Sequence, residues 1–469
     1  MNPRKTFSHS FSPLPLLVLP MEIYEREIDA RLWLAQEAIK RGYQILIAHH
    51  ASPCLRGLSD CGIFYKDHGP GLVKLRKYHG WIDPSLWVGA LDEEGLVFSS
   101  EETYRKGRVN REALQLLDDV FFIGAWQEKV AAIEQIPVRT HVTGHPRFDL
   151  CHGKYQESQP VPHSQKIRVL VNTRFGSLFP ISESLPSVLK RRTHPSNDIN
   201  KENIANELVI CREILDLVDV LSADPGVVVT LRPHPAEHMD YYRNRFSNVC
   251  NVAVERRAGV VHAIEHSDIV VHDGCTTAIE ACLMGKPVIG LRPPLPYPAI
   301  SYGDFCNRFS LAASSSHEAR DIITCLRSAD EHRALLRRMA EIRTAMWPSQ
   351  FMSNWCMGNA TGKILDVVDQ QQLPTRTAPT LAIQHRWNLA REALRRFMLM
   401  GCSALVPAKT RSRPFAQALY QIHLNDSKFP KVTLNEMRER AVYIMGSEFV
   451  RNNIHLQCLA RNCFLICPV

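Results

Sequence analysis

The sequence predicts an α/β protein of two domains followed by a basic, helical tail. Three observations predict it. Apolar runs of strand length alternate with amphipathic helical stretches through the first 150 residues. The same alternation restarts after a polar, proline-containing segment, and from about Thr361 it fades into an arginine-rich region. A chain of 469 residues fits two domains of ordinary size plus a tail, and 45% hydrophobic with 22% charged residues is the composition of a globular protein.

The first domain spans residues 1–150. Pro15 to Leu19 reads as a buried strand, and Ile23 to Lys40 as a helix with Ile28, Leu32, Ala35 and Ile39 along one face, ended by Gly42. Tyr43 to Ala48 is the next strand, so the opening order is strand, helix, strand, as in a parallel sheet. Strands are further expected at Gly62 to Tyr65, Leu96 to Phe98, Asp119 to Ile123 and Val138 to Thr143, with a helical stretch at Gln127 to Ile133. The segment Cys151 to Gln165, with Pro160 and Pro162, has linker composition and marks a domain boundary.

The second domain spans 166–360. It restarts with strand Ile167 to Val171, a helix around Asn203 to Leu221, and strands Val227 to Leu231 and Ile269 to Val271. A helix from near Thr276 stops at Gly285 and Pro287, and Val288 to Leu291 is a further buried strand. The tail covers 361–469. From Gln371 onward it carries fourteen Lys/Arg against five Asp/Glu, so the net charge of +8 is concentrated there. The plainer reading is a solvated helical face; the alternative is peripheral contact with an anionic inner-membrane surface or an acidic glycan.

No run approaches the roughly 20 apolar residues of a membrane span, and Leu14 to Pro20 is followed at once by charged residues instead of a cleavage site. A cytoplasmic protein is therefore expected. The fourteen cysteines contain no C-x-x-C pair, and those in apolar contexts such as Cys282 and Cys325 read as reduced core residues. No aromatic-interleaved basic sheet or binding motif points to nucleic acid.

Several clusters fall at strand ends, where open α/β sheets bind ligands. Arg232-Pro233-His234-Pro235 follows the strand ending at Leu231; two prolines fix the loop, arginine offers a forked set of charged donors, and histidine can donate to a leaving phosphate oxygen. His272-Asp273-Gly274-Cys275-Thr276-Thr277, with Glu280 beyond, leads from a buried strand into a helix whose free N–H groups suit an anion. The plain alternative makes Thr276 an N-cap and Glu280 a solvated side chain. Asn172-Thr173-Arg174-Phe175 is a donor-rich loop that could line the same pocket. In the first domain, Asp92-Glu93-Glu94-Gly95 could supply a base, whereas Glu25 to Asp29 at the first helix start reads as dipole complementarity and Gly144 to Asp149 as a hinge and packing element.

In this order, Glu25-Arg26-Glu27-Ile28-Asp29, Asp92 to Gly95, Gly144 to Asp149, Asn172 to Phe175, Arg232 to Pro235, and Thr276-Thr277 with Glu280 resemble bacterial surface carbohydrate biosynthesis proteins over residues 13 to 300, with a weak extension at Lys428-Phe429-Pro430. The family is similar in its motifs to capsule polysialyltransferases and Kdo transferases, which have two Rossmann-like domains facing a cleft, the GT-B architecture. The resemblance implies an N-terminal acceptor domain, a C-terminal nucleotide-sugar domain, Glu93 as general base with Glu94 as its alternative, and His234 on the donor phosphate. It implies that Thr276 and Thr277 meet the nucleotide phosphate; the strand-end loops add Arg232, Asn172, Thr173, Gly274 and Glu280 as further candidates for binding the nucleotide. His145 and Arg174 stand where the family pattern has asparagine, and Leu456 to Val469 does not resemble the family.

The expected activity is transfer of an acidic, CMP-activated sugar to an oligosaccharide or lipid-linked glycan, with no metal and no cofactor beyond the donor. Rival readings are a UDP-sugar 2-epimerase or polyol-phosphate transferase of similar fold, and a non-catalytic glycan-assembly subunit.

Overall fold

The structure, a computed structural model, describes residues 13–131 apart from 82 and 99, then 138–157, 166–180, 198–298 apart from 257 and 258, 304–346, 351–353, 358–376, 394, 397–400, and 425–468 apart from 427 and 447–453. It is a two-domain α/β fold built on two parallel sheets. Strands β1 (Leu14–Met21), β2 (Gln44–His49), β3 (Gly62–Tyr65), β4 (Trp87–Leu91), β5 (Asp119–Phe122) and β6 (Arg139–Val142) form the first, in the order β2-β1-β3-β4-β5-β6. Strands β7 (Ile167–Asn172), β8 (Val227–Arg232), β9 (Val252–Val254), β10 (Ile269–His272), β11 (Val288–Leu291) and β12 (Leu311–Ala313) form the second, in the order β12-β11-β10-β7-β8-β9. Because helices cover both faces, the strands read as continuous apolar runs, and Leu16 to Leu19 of β1 are all fully buried.

The first helix, Tyr24–Lys40, buries the expected face of Ile28, Leu32, Ala35 and Ile39. Gly42, with φ of +86°, turns the chain from it into β2. One strand assignment is corrected. Leu96 to Phe98 is not a strand; the strand is Trp87–Leu91, and Asp92 to Val97 forms a turn held by Glu94 N–H donating to Asp92 Oδ1 (3.0 Å) and Val97 N–H to the Glu94 carbonyl (2.9 Å). Local bonds thus satisfy the backbone that a strand would pair across the sheet. The acidic run accordingly follows a strand instead of preceding one. Part of the expected linker is also helical, since Pro146–Glu157 continues past Cys151; Pro160 and Pro162 lie outside the described residues.

Beyond residue 358 the chain returns to the first domain. Helix Ala360–Asp369 receives its N-terminal cap from a different helix, with Asp149 accepting from the N–H groups of Ala360 (3.0 Å) and Thr361 (2.6 Å). Its far end is tied to the first helix by Arg41 on Asp366 and Asp369, both at 2.8 Å. A two-residue strand, β13 (Thr375–Arg376), pairs with the start of β1.

The tail contributes the expected helix, Leu434–Met445, started by a Thr433/Glu436 capping box. It ends as a hairpin, β14 (Ile454–Ala460) and β15 (Cys463–Pro468), in which β15 runs antiparallel along the outer edge of β2. Phe464, Leu465 and Ile466 are buried there, so the hairpin covers the β2 edge and leaves β14 as the outer strand. Most of 377–424 lies outside the described residues. No helix among the described residues is long and apolar enough to cross a membrane. The twelve described cysteines are unbridged; Cys282 is buried and Cys325 is half-buried.

Candidate active site

Strand order fixes where loops from the two sheets can meet. In the second sheet the order reverses between β7 and β10, opening a crevice at their carboxyl ends, where Asn172 to Arg174 and Gly274 to Thr277 emerge. In the first sheet it reverses between β1 and β3, so the turn after β1 and the start of helix Tyr24–Lys40 occupy the corresponding edge. The two edges face each other across a cavity of about 220 Å³. Glu93, Asn172, Thr173, Arg232, His234, Gly274, Thr276, Thr277 and Glu280 all line it.

On the second-domain wall, His234 is held from three directions. Its Nδ1 accepts the Ala236 N–H (3.2 Å), its own N–H donates to Glu237 Oε1 (2.9 Å), and Arg256 donates to its carbonyl (3.0 Å). With Nδ1 accepting, neutral His234 carries its proton on Nε2. Burial, helped by the neighbouring Arg26 charge, pulls its pKa down to about 4, so the imidazole is a neutral donor until an anion arrives. Thr173 is a different kind of residue from the one expected. Its hydroxyl is committed to the Glu237 carboxylate (2.8 and 3.0 Å), which burial pushes up to about 7; Thr173 therefore supports the His234 loop from behind.

Asn172 is buried, and its Nδ2 has no hydrogen-bond partner among the described residues, an amide aimed at the cavity with its donors unused. Arg232 is buried too; burial lowers its pKa, and Nη2 reaches only the Arg256 carbonyl at 3.3 Å. Gly274 has φ of +112°, a conformation that glycine adopts freely, and its N–H donates to His272 Nδ1 (2.8 Å), whose Nε2 meets Ser310 Oγ (2.8 Å). His272 thus shapes the loop from inside the sheet. Thr276 does stand at the N-cap of helix Thr277–Leu283, but its side chain makes no capping hydrogen bond there. Glu280 is buried to 2% exposure, not solvated; it lies 3.4 Å from Arg147, and burial raises its pKa.

The first-domain wall carries three carboxylates in unlike environments. Glu93 is buried, with Arg147 donating to it at 2.7 Å and with His145 Nε2 at 3.0 Å and Arg31 at 3.2 Å as close charge contacts. Burial alone would raise its pKa, but these neighbours outweigh it and hold the carboxyl far below the usual range. Burial also drives His145 toward its neutral form, which leaves Arg31 and Arg147 as the dependable charges. Glu94 is likewise held down, to about 2, where the charges of Arg26 and Arg108 overcome its burial. Glu25 differs from both. Burial pushes its carboxyl up to about 7 against the pull of Arg232 and Arg440, and its Oε2 is buried without a partner.

Sequence reasoning read Glu25 as a helix-dipole residue and Gly144 to Asp149 as a hinge. Gly144 does pack tightly, at φ of +90° with room for no Cβ beside the Ser353 carbonyl. Arg147, however, reaches into the cavity and joins Glu93 of one domain to Glu280 of the other. Arg174, at the end of β7, also lines the cavity, 3.9 Å from the buried Asp273. The signal for Glu25 lay in its place one turn after β1, which becomes informative only once the strand order is known. Among the described residues, no group of three or more His, Cys, Asp or Glu is arranged to hold a metal ion.

No protein-family model matches the chain, and no curated protein matches it. Similar solved structures include UDP-GlcNAc 2-epimerase from Neisseria meningitidis bound to UDP-GlcNAc, 14% identical over 76% of this chain and 99% of that one, with a TM-score of 0.42. The wall teichoic acid polymerase TagF is 11% identical over 78% of this chain and 91% of that one, with a TM-score of 0.46. UDP-GlcNAc 2-epimerase from Methanocaldococcus jannaschii, in complex with UDP-GlcNAc and UDP, is 11% identical over 76% and 99%, with a TM-score of 0.40.

Proposed function

We propose that the protein is a glycosyltransferase that moves a sugar, acidic and CMP-activated, from its nucleotide to a surface-polysaccharide acceptor at the cytoplasmic side of the membrane. The observation that carries this reading is a cavity with cations and unused donors on one wall and a proton-accepting carboxylate on the other. The donor phosphate sits against Arg232, His234 and the turn from Gly274 to Thr277, with the Asn172 amide beside it. Arg174 offers a further cation for the carboxylate of an acidic sugar, which is the support for that donor class.

In the reaction the bond from the anomeric carbon to the phosphate oxygen breaks, and its electron pair leaves with CMP. The developing charge is met by Arg232 and by the Nε2 proton of His234, whose pKa rises beside the anion. The acceptor hydroxyl bonds to the anomeric carbon and gives its proton to Glu25. Glu25 fits this role better than Glu93, the residue implied by motif. A base near pH 7 needs a carboxylate whose protonated form is accessible, whereas Glu93 is locked as an anion by two arginines and orders Arg147 instead. No step requires a metal, since cationic side chains meet the phosphate charge.

Calorimetric titration of CMP, CDP and UDP into the protein and into His234→Ala tests the reading. Tight CMP binding that weakens at least tenfold in the variant is expected. Preference for UDP or CDP would replace it with the epimerase or polyol-phosphate reading, and absence of nucleotide binding would replace it with a glycan-assembly role.

A further inference from the structure

A second, larger groove of about 970 Å³ opens beside the cavity, between the second domain and the tail segment that runs from Asp426 to Tyr443. The two spaces share Glu25 and Pro235, so the unpartnered carboxylate stands at their junction. The groove exists because the tail helix bridges the domains: Arg440 donates to Asp29 of the first (2.8 Å), and the Tyr443 hydroxyl donates to Glu265 of the second. Tyr24, which lines the groove, is backed by Phe429, packed edge-on against it at 5.3 Å between ring centroids.

The charges in this groove are balanced, although the tail as a whole is basic. Five Lys/Arg side chains are matched by five carboxylates, and several are already engaged: Lys428 with Glu22 (2.6 Å), Asp426 with Arg461 (2.9 Å), and Glu436 with its capping partner Thr433. Such a surface exerts little net pull on a polyanion or an acidic membrane. It offers donors and acceptors in alternation, beside the ring of Tyr443 and the flat faces of Pro235 and Pro430. A polyhydroxylated chain satisfies both kinds of surface, and the volume is at the upper end for a small-molecule site, with room for several sugar units.

We propose that this groove binds the non-reacting part of the acceptor, an uncharged oligosaccharide whose terminal hydroxyl reaches Glu25. The proposal rests on the glycosyltransferase reading. It makes the tail the element that selects the acceptor, while the second domain selects the donor.

The test uses the full chain and the variants Glu439→Trp and Lys431→Trp, which place a bulky ring at exposed groove positions outside the cavity. The probes are a printed array of neutral oligosaccharides with their acidic counterparts, and CMP by calorimetry as the check on folding and on the donor site. The expected result is binding of neutral oligosaccharides by the original protein, about tenfold weaker in the variants, with CMP affinity unchanged. Glycan binding that survives both substitutions, that is confined to acidic oligosaccharides, or that is absent from the original protein would overturn the proposal. Loss of glycan binding in the variants of a protein that binds no CMP would instead sink the transferase reading and leave the groove standing.

Discussion

Replacing Glu25 with glutamine separates catalysis from stability at one atom. In the folded protein the Glu25 carboxyl is raised from 4.5 to about 7, chiefly by burial. At about 1.4 kcal/mol per tenfold change in proton affinity, the charged form costs the fold up to about 3 kcal/mol. Because part of the side chain reaches solvent, that figure is an upper bound. Below the ordinary carboxylate pKa both proteins are neutral at this position; between about 4.5 and 7 the unfolded chain of the original gives up a proton that its folded form keeps, so its stability falls across that window and levels off above it. Glu25→Gln should therefore match the original protein at pH 4.5 and be the more stable of the two at pH 8, measured by urea denaturation at both values. Catalysis should move the opposite way. A positioned base contributes roughly 10²- to 10⁴-fold, so release of CMP from a CMP-activated acidic sugar in the presence of acceptor should fall by that factor. The acid limb near pH 7 in kcat/KM should vanish with it. A variant that keeps both its rate and its acid limb would refute Glu25 as the base, and one that gains no stability at pH 8 would refute the burial argument beneath it.

Other consequences concern how the two domains and the tail are held. Arg147→Met leaves Glu280 buried without its nearest cation while Glu93 keeps Arg31, so a loss of about 3–5 kcal/mol at pH 8 is expected. Because Glu280 can take up a proton, the loss should shrink toward pH 5, and adding Glu280→Gln should recover part of it; urea midpoints of the single and double variants across pH check both points. Truncation after Ser447 removes the hairpin that covers β2 and exposes the run Ile45 to Ala48 along an open sheet edge. Aggregation on concentration, followed by light scattering, is the expected outcome, and a monodisperse truncated protein would show that β15 is dispensable.

The sequence by itself determined the α/β class, most strands of both sheets, and the clusters Arg232 to Pro235 and Gly274 to Thr277, because a buried parallel strand must be a continuous apolar run and the loop after it must be polar. It also picked out Glu93, as a general base, and the structure places that residue in the cavity wall. Only the tertiary structure decided what each carboxylate can do. Glu25, Glu93 and Glu94 are the same amino acid within one cavity, yet burial lifts the first while groups from distant segments, His145, Arg31 and Arg147 on Glu93 and Arg26 and Arg108 on Glu94, hold down the others. Periodicity misread Leu96 to Phe98 because the chain turns there, with Asp92 accepting from the Glu94 N–H and the Val97 N–H donating to the Glu94 carbonyl. The hairpin at the C-terminus escaped for a related reason: its alternation is legible only against the edge of β2, some four hundred residues away, and a proton affinity or a sheet edge is a property of neighbours that the order of residues does not specify.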